Sequence, residues 1–456
     1  MSVIRSEGSS PVVLRPRPRG RLIRGASALA AALALTLAAC SDDATPDAGA
    51  ADAAAQPDAV VVDLGVADAG AADLGAADAA PPDLGAEDAA PTDADPAPDA
   101  QAPTDGGVRA ATCPPPQPSA PPIPEDPAAR GPYLVGARSA TIAGIWSEIW
   151  YPAPIGSEGK SSTTAYDIRL ELPRSERAKI PDDAAPLQGC DCYRDLPIAP
   201  GSWPVIVFVH GTAAFRTQSL SLMTHWASRG FVVIAGTHRG LRLADILEGR
   251  IGVGDPVADV VGLLAAIRAG GGPLAFAAGA IDPTRIGLSG HSAGGGTIAG
   301  LGGEQGVYVL QPMASGGSSP DISGPSTLVL GAQNDGIVPY TRAVDGYTRS
   351  NGPKWLVGLA NAGHLAFSDL CVIAAEEGGL LAVAQRYGVA VNPLIVRLAR
   401  DGCEPTALAP AAGLEIVRAA STAAFELGLT CLPERAADLA GLRQRFTAVG
   451  EYREQR

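Results

Sequence analysis

Gly290-His291-Ser292-Ala293-Gly294 constrains this chain more than any other stretch. Before it, Ile286-Gly287-Leu288 reads as strand; after it, a run of Gly, Ala, Thr and Ile can wind into helix. Where a strand turns directly into a helix around G-x-S-x-G, the glycines permit a sharp, strained bend that lifts the serine hydroxyl above the sheet. A Gly-rich turn in a binding protein is the plainer alternative.

The surrounding texture supports the first reading. From residue 203 short β-branched runs alternate with helix-like stretches, which is the pattern of a parallel sheet covered on both faces. Val205–Val209, Phe231–Ala235, Arg285–Ser289, Val307–Leu310, Thr327–Leu330 and Trp355–Leu359 read as strands. Ser219–Arg229, Val257–Ala269 and a last helix at Gly413–Leu427 read as helices. Upstream, Thr141–Tyr151 reads as one strand stopped by Pro152, and Tyr166–Leu172 as another. The expected fold class is therefore α/β: an α/β-hydrolase fold with a mostly parallel central sheet and helices on both faces.

A serine needs a base to become a nucleophile. Of the five histidines, only His364 follows Ser292, in a loop past a late strand. His291 lies inside the turn, His225 mid-helix, and His210 and His238 behind early strands. The acid should fall between serine and histidine in this chain order. Gly331-Ala332-Gln333-Asn334-Asp335-Gly336 directly follows the Leu328–Leu330 strand, and Asp335 can orient the imidazole, or form an Asx-turn with Gly336. Asp321 is the competitor. Two N–H groups must meet the oxyanion. Ala293, next after the serine, supplies one, and Thr212, in the loop after Val209, is the candidate for the other.

The N-terminus reads as a targeting segment, residues 1–40. Arg15, Arg17, Arg19, Arg21 and Arg24 precede an apolar run from Ala26 to Ala39, too short to span a bilayer comfortably. Its end, Leu37-Ala38-Ala39-Cys40, resembles the bacterial lipobox, which implies acylation of Cys40, and Ser41 implies outer-membrane sorting. An ordinary cleaved signal with an incidental cysteine is the alternative. Residues 41–112 then carry fifteen Asp, one Glu and one Arg, whereas 113–456 carry 27 Lys+Arg against 31 Asp+Glu. A single-sign, Pro-rich segment poor in aromatics reads as a disordered tether, taken here as 41–130 and spanning roughly 50 Å or more. The remaining 131–456 is nearly neutral, without the basic surface that nucleic acid requires.

Seven cysteines leave six once Cys40 is set aside: Cys113, Cys190, Cys192, Cys371, Cys403 and Cys431. Six suit three disulfides in an exported protein. Cys190 and Cys192, one residue apart, are expected to take different partners because a mutual bond would be strained; a Cys-x-Cys metal site is the sharper alternative. Residues 372–410 read as an insertion and a candidate lid, with Cys371 and Cys403 as brackets.

VFVHGTAAFRT (207–217), WASRGFVVIAGTHRG (226–240), IDPTRIGLSGHSAGG (281–295) and the early IWYPAP (149–154) resemble the platelet-activating-factor acetylhydrolase and polyester-hydrolase branch of the α/β-hydrolases. The resemblance spans about 131–370. It implies a carboxylic-ester hydrolase that works without cofactor or metal, with a partly apolar acyl pocket and a small-molecule or lipid ester as substrate. Ala293 stands where the polyester hydrolases carry Met, and Gln311-Pro312-Met313 where they carry a pocket Trp, which speaks against polymers. The animal acetylhydrolases take their acid from the earlier loop, which keeps Asp321 in view. Ser292 stands where dienelactone hydrolases have Cys. An amidase or peptidase using the same triad, and a surface-binding lipoprotein on a decayed fold, remain as rival readings. The sequence sets no oligomeric state.

Overall fold

The computed structural model describes residues 111–113 and 121–456. The segment 1–40 expected to be a signal, with Cys40, and residues 41–110 and 114–120 of the expected tether, with Ser41, lie outside the described residues.

Among the described residues twelve strands form in chain order: β1 Leu134–Ile142, β2 Ile145–Ala153, β3 Ala165–Asp167, β4 Leu187–Gly189, β5 Tyr193–Arg194, β6 Trp203–Val209, β7 Val232–Gly236, β8 Ile281–His291, β9 Val307–Met313, β10 Ser326–Ala332, β11 Lys354–Leu359 and β12 Val449–Gln455. Ten of them make one sheet in the order β12-β11-β10-β9-β8-β6-β7-β2-β1-β5, and β3 pairs with β4 apart from it. The stretch from β7 to β11 is parallel throughout. Antiparallel pairs β11–β12, β7–β2 and β2–β1 flank it. This is an α/β fold with the expected parallel centre.

Alternation along the central strands shows why both faces need cover. In β6, Val205, Val207 and Val209 enter one hydrophobic core and Ile206 and Phe208 the other. β7 divides in the same way, with Val232 and Ile234 on one side and Val233 and Ala235 on the other. Successive side chains of a strand point to opposite faces, so a strand apolar at every position must be covered twice. Helix Pro256–Ala269 covers the first face with Val260, Leu263, Leu264 and Ile267. Helices Leu220–Ser228 and Pro410–Leu429 cover the second, where Trp226 packs edge-on against Phe425.

Several sequence expectations need correction. Thr141–Tyr151 is not one strand: β1 and β2 form a hairpin about Ala143 (φ 49°) and Gly144 (φ 81°). A two-residue loop with both φ positive matches the twist of the strands, and the apolar alternation running through it hides the reversal. In Tyr166–Leu172, only the start is strand. The Asp167 side chain accepts the Arg169 N–H and opens a 3-10 turn at Ile168–Glu171. The helix expected at Gly413–Leu427 runs from Pro410 to Leu429 and is not the last, because Arg435–Ala440, Leu442–Arg445 and β12 follow. β12 (VGEYREQ) is a charged edge strand, polar in the way that keeps an open sheet edge from recruiting other chains.

The boundary at 130 also moves. Buried Glu426 binds Arg229 and Arg435, at 2.6 Å each, and these guanidiniums reach the carbonyls of Pro124, Glu125 and Asp126. Three groups that would be costly to bury alone satisfy one another and hold the chain before Gly131 against the domain. Further upstream, Cys113 is bonded to Cys431, and Ala111 N–H donates to Gly428 O at 3.2 Å. Cys190 and Cys192 bond to each other, contrary to expectation. Residues i and i+2 of extended chain share a face, and the bend at Asp191 brings their Cα atoms to 5.1 Å, within the bridging range. Cys371 and Cys403 do pair.

The insertion holds a 3-10 turn at Ala375–Glu377 and helices Leu380–Arg386 and Pro393–Arg400. It packs on the segment after β3, where Ile180 meets Val383 and Val389. Lys179 Nζ donates to Gly388 O at 2.9 Å and Ala390 N–H to Glu176 Oε2 at 2.6 Å, so two excursions from the sheet, distant in sequence, clasp each other.

With three bridges closed, alkylation of the denatured but unreduced domain should label none of Cys113, Cys190, Cys192, Cys371, Cys403 and Cys431. Mass spectrometry that finds two or more of them labelled would contradict this pairing.

Candidate active site

β8 delivers Ser292 to the sheet's carboxyl edge and helix Ala293–Ile298 begins at the next residue. That leaves one residue to reverse the chain, and Ser292 adopts φ 55°, ψ −120°. A non-glycine residue held there costs about 1–3 kcal/mol. The surroundings enforce it. Ser292 N–H donates to Met313 O of β9 at 2.8 Å. A Cβ on Gly290 would come within 2.3 Å of Gly294 O, and one on Gly294 within 2.1 Å of Val209 O. The motif's glycines are thus required by contact between the turn, its own helix and the end of β6.

Asp335 follows β10 and His364 follows β11, neighbouring parallel strands whose loops emerge on the same edge. Asp335 Oδ2 lies 2.9 Å from His364 Nδ1, and both side chains are buried. Its other oxygen accepts the N–H groups of Ile337 at 2.9 Å and Val338 at 2.7 Å. The turn-forming and the imidazole-facing readings therefore coexist, one oxygen serving each. Asp321 lies exposed in the turn after β9. With Nδ1–H given to a carboxylate, Nε2 is the nitrogen left as acceptor. His364 and Ser292 line one cavity together with Thr212.

The loop after β6 orients its amides by a chain of neutral histidine contacts. His210 Nδ1 donates to Gly211 O at 2.9 Å, while its Nε2 accepts the His238 N–H at 3.1 Å. In a trans peptide C=O and N–H point in opposite directions, so this bond aims the Thr212 N–H away from His210. The neighbouring amides are taken: Gly211 N–H by Gln218 Oε1 at 2.8 Å and Ala213 N–H by Leu241 O at 2.7 Å. Among these three, Thr212 N–H stays available. Ala293 N–H belongs to the first helical turn, where amides have no partner within the helix.

His291 links the pieces. Gln218 Nε2 donates to its Nδ1 at 2.7 Å, and its Nε2 donates to His364 O at 2.9 Å. The two imidazoles lie 4.7 Å apart. Gln218 and His291 thus tie the Thr212 loop, the serine turn and the His364 loop into one network, which no sequence motif announced. Burial and the neighbouring His364 push His291 down to about 3, and burial with His238 pushes His210 equally low.

The cavity measures about 610 Å³ and is mostly apolar. Ile168, Leu172 and Ile180 line it from the segment after β3, and Leu380, Val383 and Ile395 from the insertion. Its volume lies in the range of small-molecule pockets.

Residues 187–244 match the family model of platelet-activating factor acetylhydrolase, isoform II. The match runs from β4 past β7 and includes Thr212; it is narrower than 131–370 and ends before Ser292. No curated protein matches the chain. With the sheet order, the match supports an α/β-hydrolase of the esterase or lipase type.

The buried histidines fix an acid sensitivity. His210, His225 and His291 are each lowered from 6.5 to about 3. The unfolded chain binds their protons near pH 6.5 and the fold only near 3, so stability falls as pH drops through that window. Asp369 opposes this. Burial raises it from 3.8 to about 6, and the fold takes up its proton first. Three groups outweigh one, giving a net loss of about 2–3 kcal/mol per pH unit between 6 and 5. Denaturant midpoints measured at pH 7, 6 and 5 should decline accordingly; a flat series would contradict it.

Proposed function

We propose that the chain is a serine hydrolase that cleaves carboxylic esters through an acyl-enzyme. The observation that carries the reading is the 2.9 Å contact between His364 Nδ1 and Asp335 Oδ2, with Ser292 on its strained turn facing the same apolar cavity. Ser292 Oγ attacks the ester carbon while His364 Nε2 takes its proton. Thr212 and Ala293 N–H groups hold the oxyanion, preorganised at the edge of a mostly apolar cavity. As the tetrahedral intermediate collapses, the C–O bond to the alcohol breaks and His364 returns the proton to it. Water, deprotonated by His364, then attacks the acyl-enzyme; the acid leaves and Ser292 regains its proton. Asp335 stabilises the charged imidazole and keeps it aligned throughout. The cavity's apolar lining favours a small-molecule or lipid ester.

The test is turnover of a short p-nitrophenyl ester by purified, folded variants. Ser292→Ala and His364→Ala should each lower kcat by orders of magnitude, with the double variant little worse, because the groups act as a unit. Asp335→Asn should cost heavily and Asp321→Asn little. Wild-type turnover by Ser292→Ala would remove Ser292 as the nucleophile and end this reading, absence of turnover by the wild type would favour a binding protein, and faster cleavage of anilides than esters would favour an amidase.

We further propose that Cys40 carries a lipid that anchors the chain at the cell envelope, by the residue pattern at 37–41. Cys40→Ala should then move the protein from membrane to soluble fractions while ester turnover persists. Membrane recovery at wild-type level would overturn the proposal.

A further inference from the structure

A second carboxylate reaches the triad from the insertion. Asp401 follows helix Pro393–Arg400, and its two oxygens are divided between the two loops that carry the acid and the base. Oδ1 accepts the backbone N–H of His364 at 2.5 Å, and Oδ2 accepts the backbone N–H of Gly336, the residue after Asp335, at 2.9 Å. Its own carbonyl accepts the Leu365 N–H at 3.0 Å. From the same helix, Arg397 donates to Gly336 O at 2.5 Å, so both polar groups of Gly336 are held by the insertion.

Glycines make room for this carboxylate. A Cβ on Gly336 would lie 2.4 Å from Asp401 Oδ2, and one on Gly363 would lie 2.6 Å from Oδ1 and 2.5 Å from the Gly402 nitrogen. Neither Gly336 nor Gly363 has a positive φ. The backbone would tolerate other residues there, so close approach is the reason for glycine. Two residues beyond Asp401, Cys403 is bonded to Cys371, which lies seven residues after His364. The covalent ring so closed keeps Asp401 beside the His364 loop.

We propose that Asp401 is a positioning residue that fixes the Asp335 loop and the His364 loop relative to one another. The inference rests on the triad assigned above. A carboxylate suits the task because both its oxygens only accept. The isosteric amide offers one acceptor and one donor, so one of the two loop amides would face another N–H. Asp401 touches neither substrate nor the reacting atoms. Its removal acts through the distance between His364 Nδ1 and Asp335 Oδ2, and a displacement of about 1 Å at such a contact can cost on the order of 100-fold in rate.

The test uses the full chain. Asp401→Asn should lower kcat about 10- to 100-fold on a p-nitrophenyl ester while KM stays within about twofold. The low-field proton resonance of the His364–Asp335 hydrogen bond should shift or broaden. Gly336→Ala retains the charge and the insertion but drives a methyl group against Oδ2. It should lower kcat by about 3- to 10-fold with the same spectroscopic change, and it serves if Asp401→Asn does not fold. If both variants keep wild-type kcat and an unmoved resonance while Ser292→Ala is dead, the inference fails and the triad stands. If KM rises and kcat holds, Asp401 acts on the acyl cavity and the proposal is overturned. Should the wild type itself show no ester turnover, the ester-hydrolase reading fails, and the resonance still reports whether Asp401 sets the His364–Asp335 contact.

Discussion

The backbone of Ser292 is held in a conformation that L residues avoid, and much of the molecule is arranged around keeping it there. Strand and helix are joined here by this single residue, and the φ of 55° is the geometric consequence. A residue left to itself would relax at a gain of about 1–3 kcal/mol. Relaxation is blocked because β8 is fixed by register against β6 on one side and β9 on the other, and Met313 O of β9 grips the Ser292 amide. The parallel centre of the sheet is thus more than a scaffold, since its lateral pairing supplies the force that keeps the hydroxyl presented.

Around that turn, polar groups are buried in a way that leaves little freedom. Each ring nitrogen of His210 and of His291 has a defined partner, and Gln218 spends its oxygen on one loop and its nitrogen on the other. Neutral imidazoles suit this because they offer one donor and one acceptor in fixed directions, and burial keeps them neutral. Asp335 follows the same economy with one oxygen for its own turn and one for His364. Preorganised dipoles of this kind are what a developing oxyanion and imidazolium require.

The apolar cavity has a different origin. The loops at the sheet's edge supply the serine, the imidazole and the amides, but most of the wall comes from the segment after β3 and the insertion after β11, which clasp through Lys179, Glu176 and an apolar contact at Ile180. The residues proposed for the chemistry and those that shape the cavity therefore sit on separate parts of the chain, and Asp401 is where these parts touch, as an insertion residue bonded to both the Asp335 and the His364 loop.

The sequence alone was enough for the α/β architecture, because β6, β7, β10 and β11 are apolar at nearly every position and can be satisfied only by a sheet covered twice. It was enough to single out Ser292 for the turn, since G-x-S-x-G between strand and helix leaves few other conformations. It misread the hairpin at Ala143-Gly144 and passed over β12, whose charges make an edge strand resemble a loop. Only the tertiary structure decided which carboxylate faces His364. Asp335 and Asp321 both follow strands, and a hydrogen bond is settled by distances between loops that sequence spacing does not measure. The pairing of Cys190 with Cys192, the Gln218–His291 network and the reach of Asp401 were decided there too. Each joins side chains to partners whose separation in space bears no simple relation to their separation along the chain.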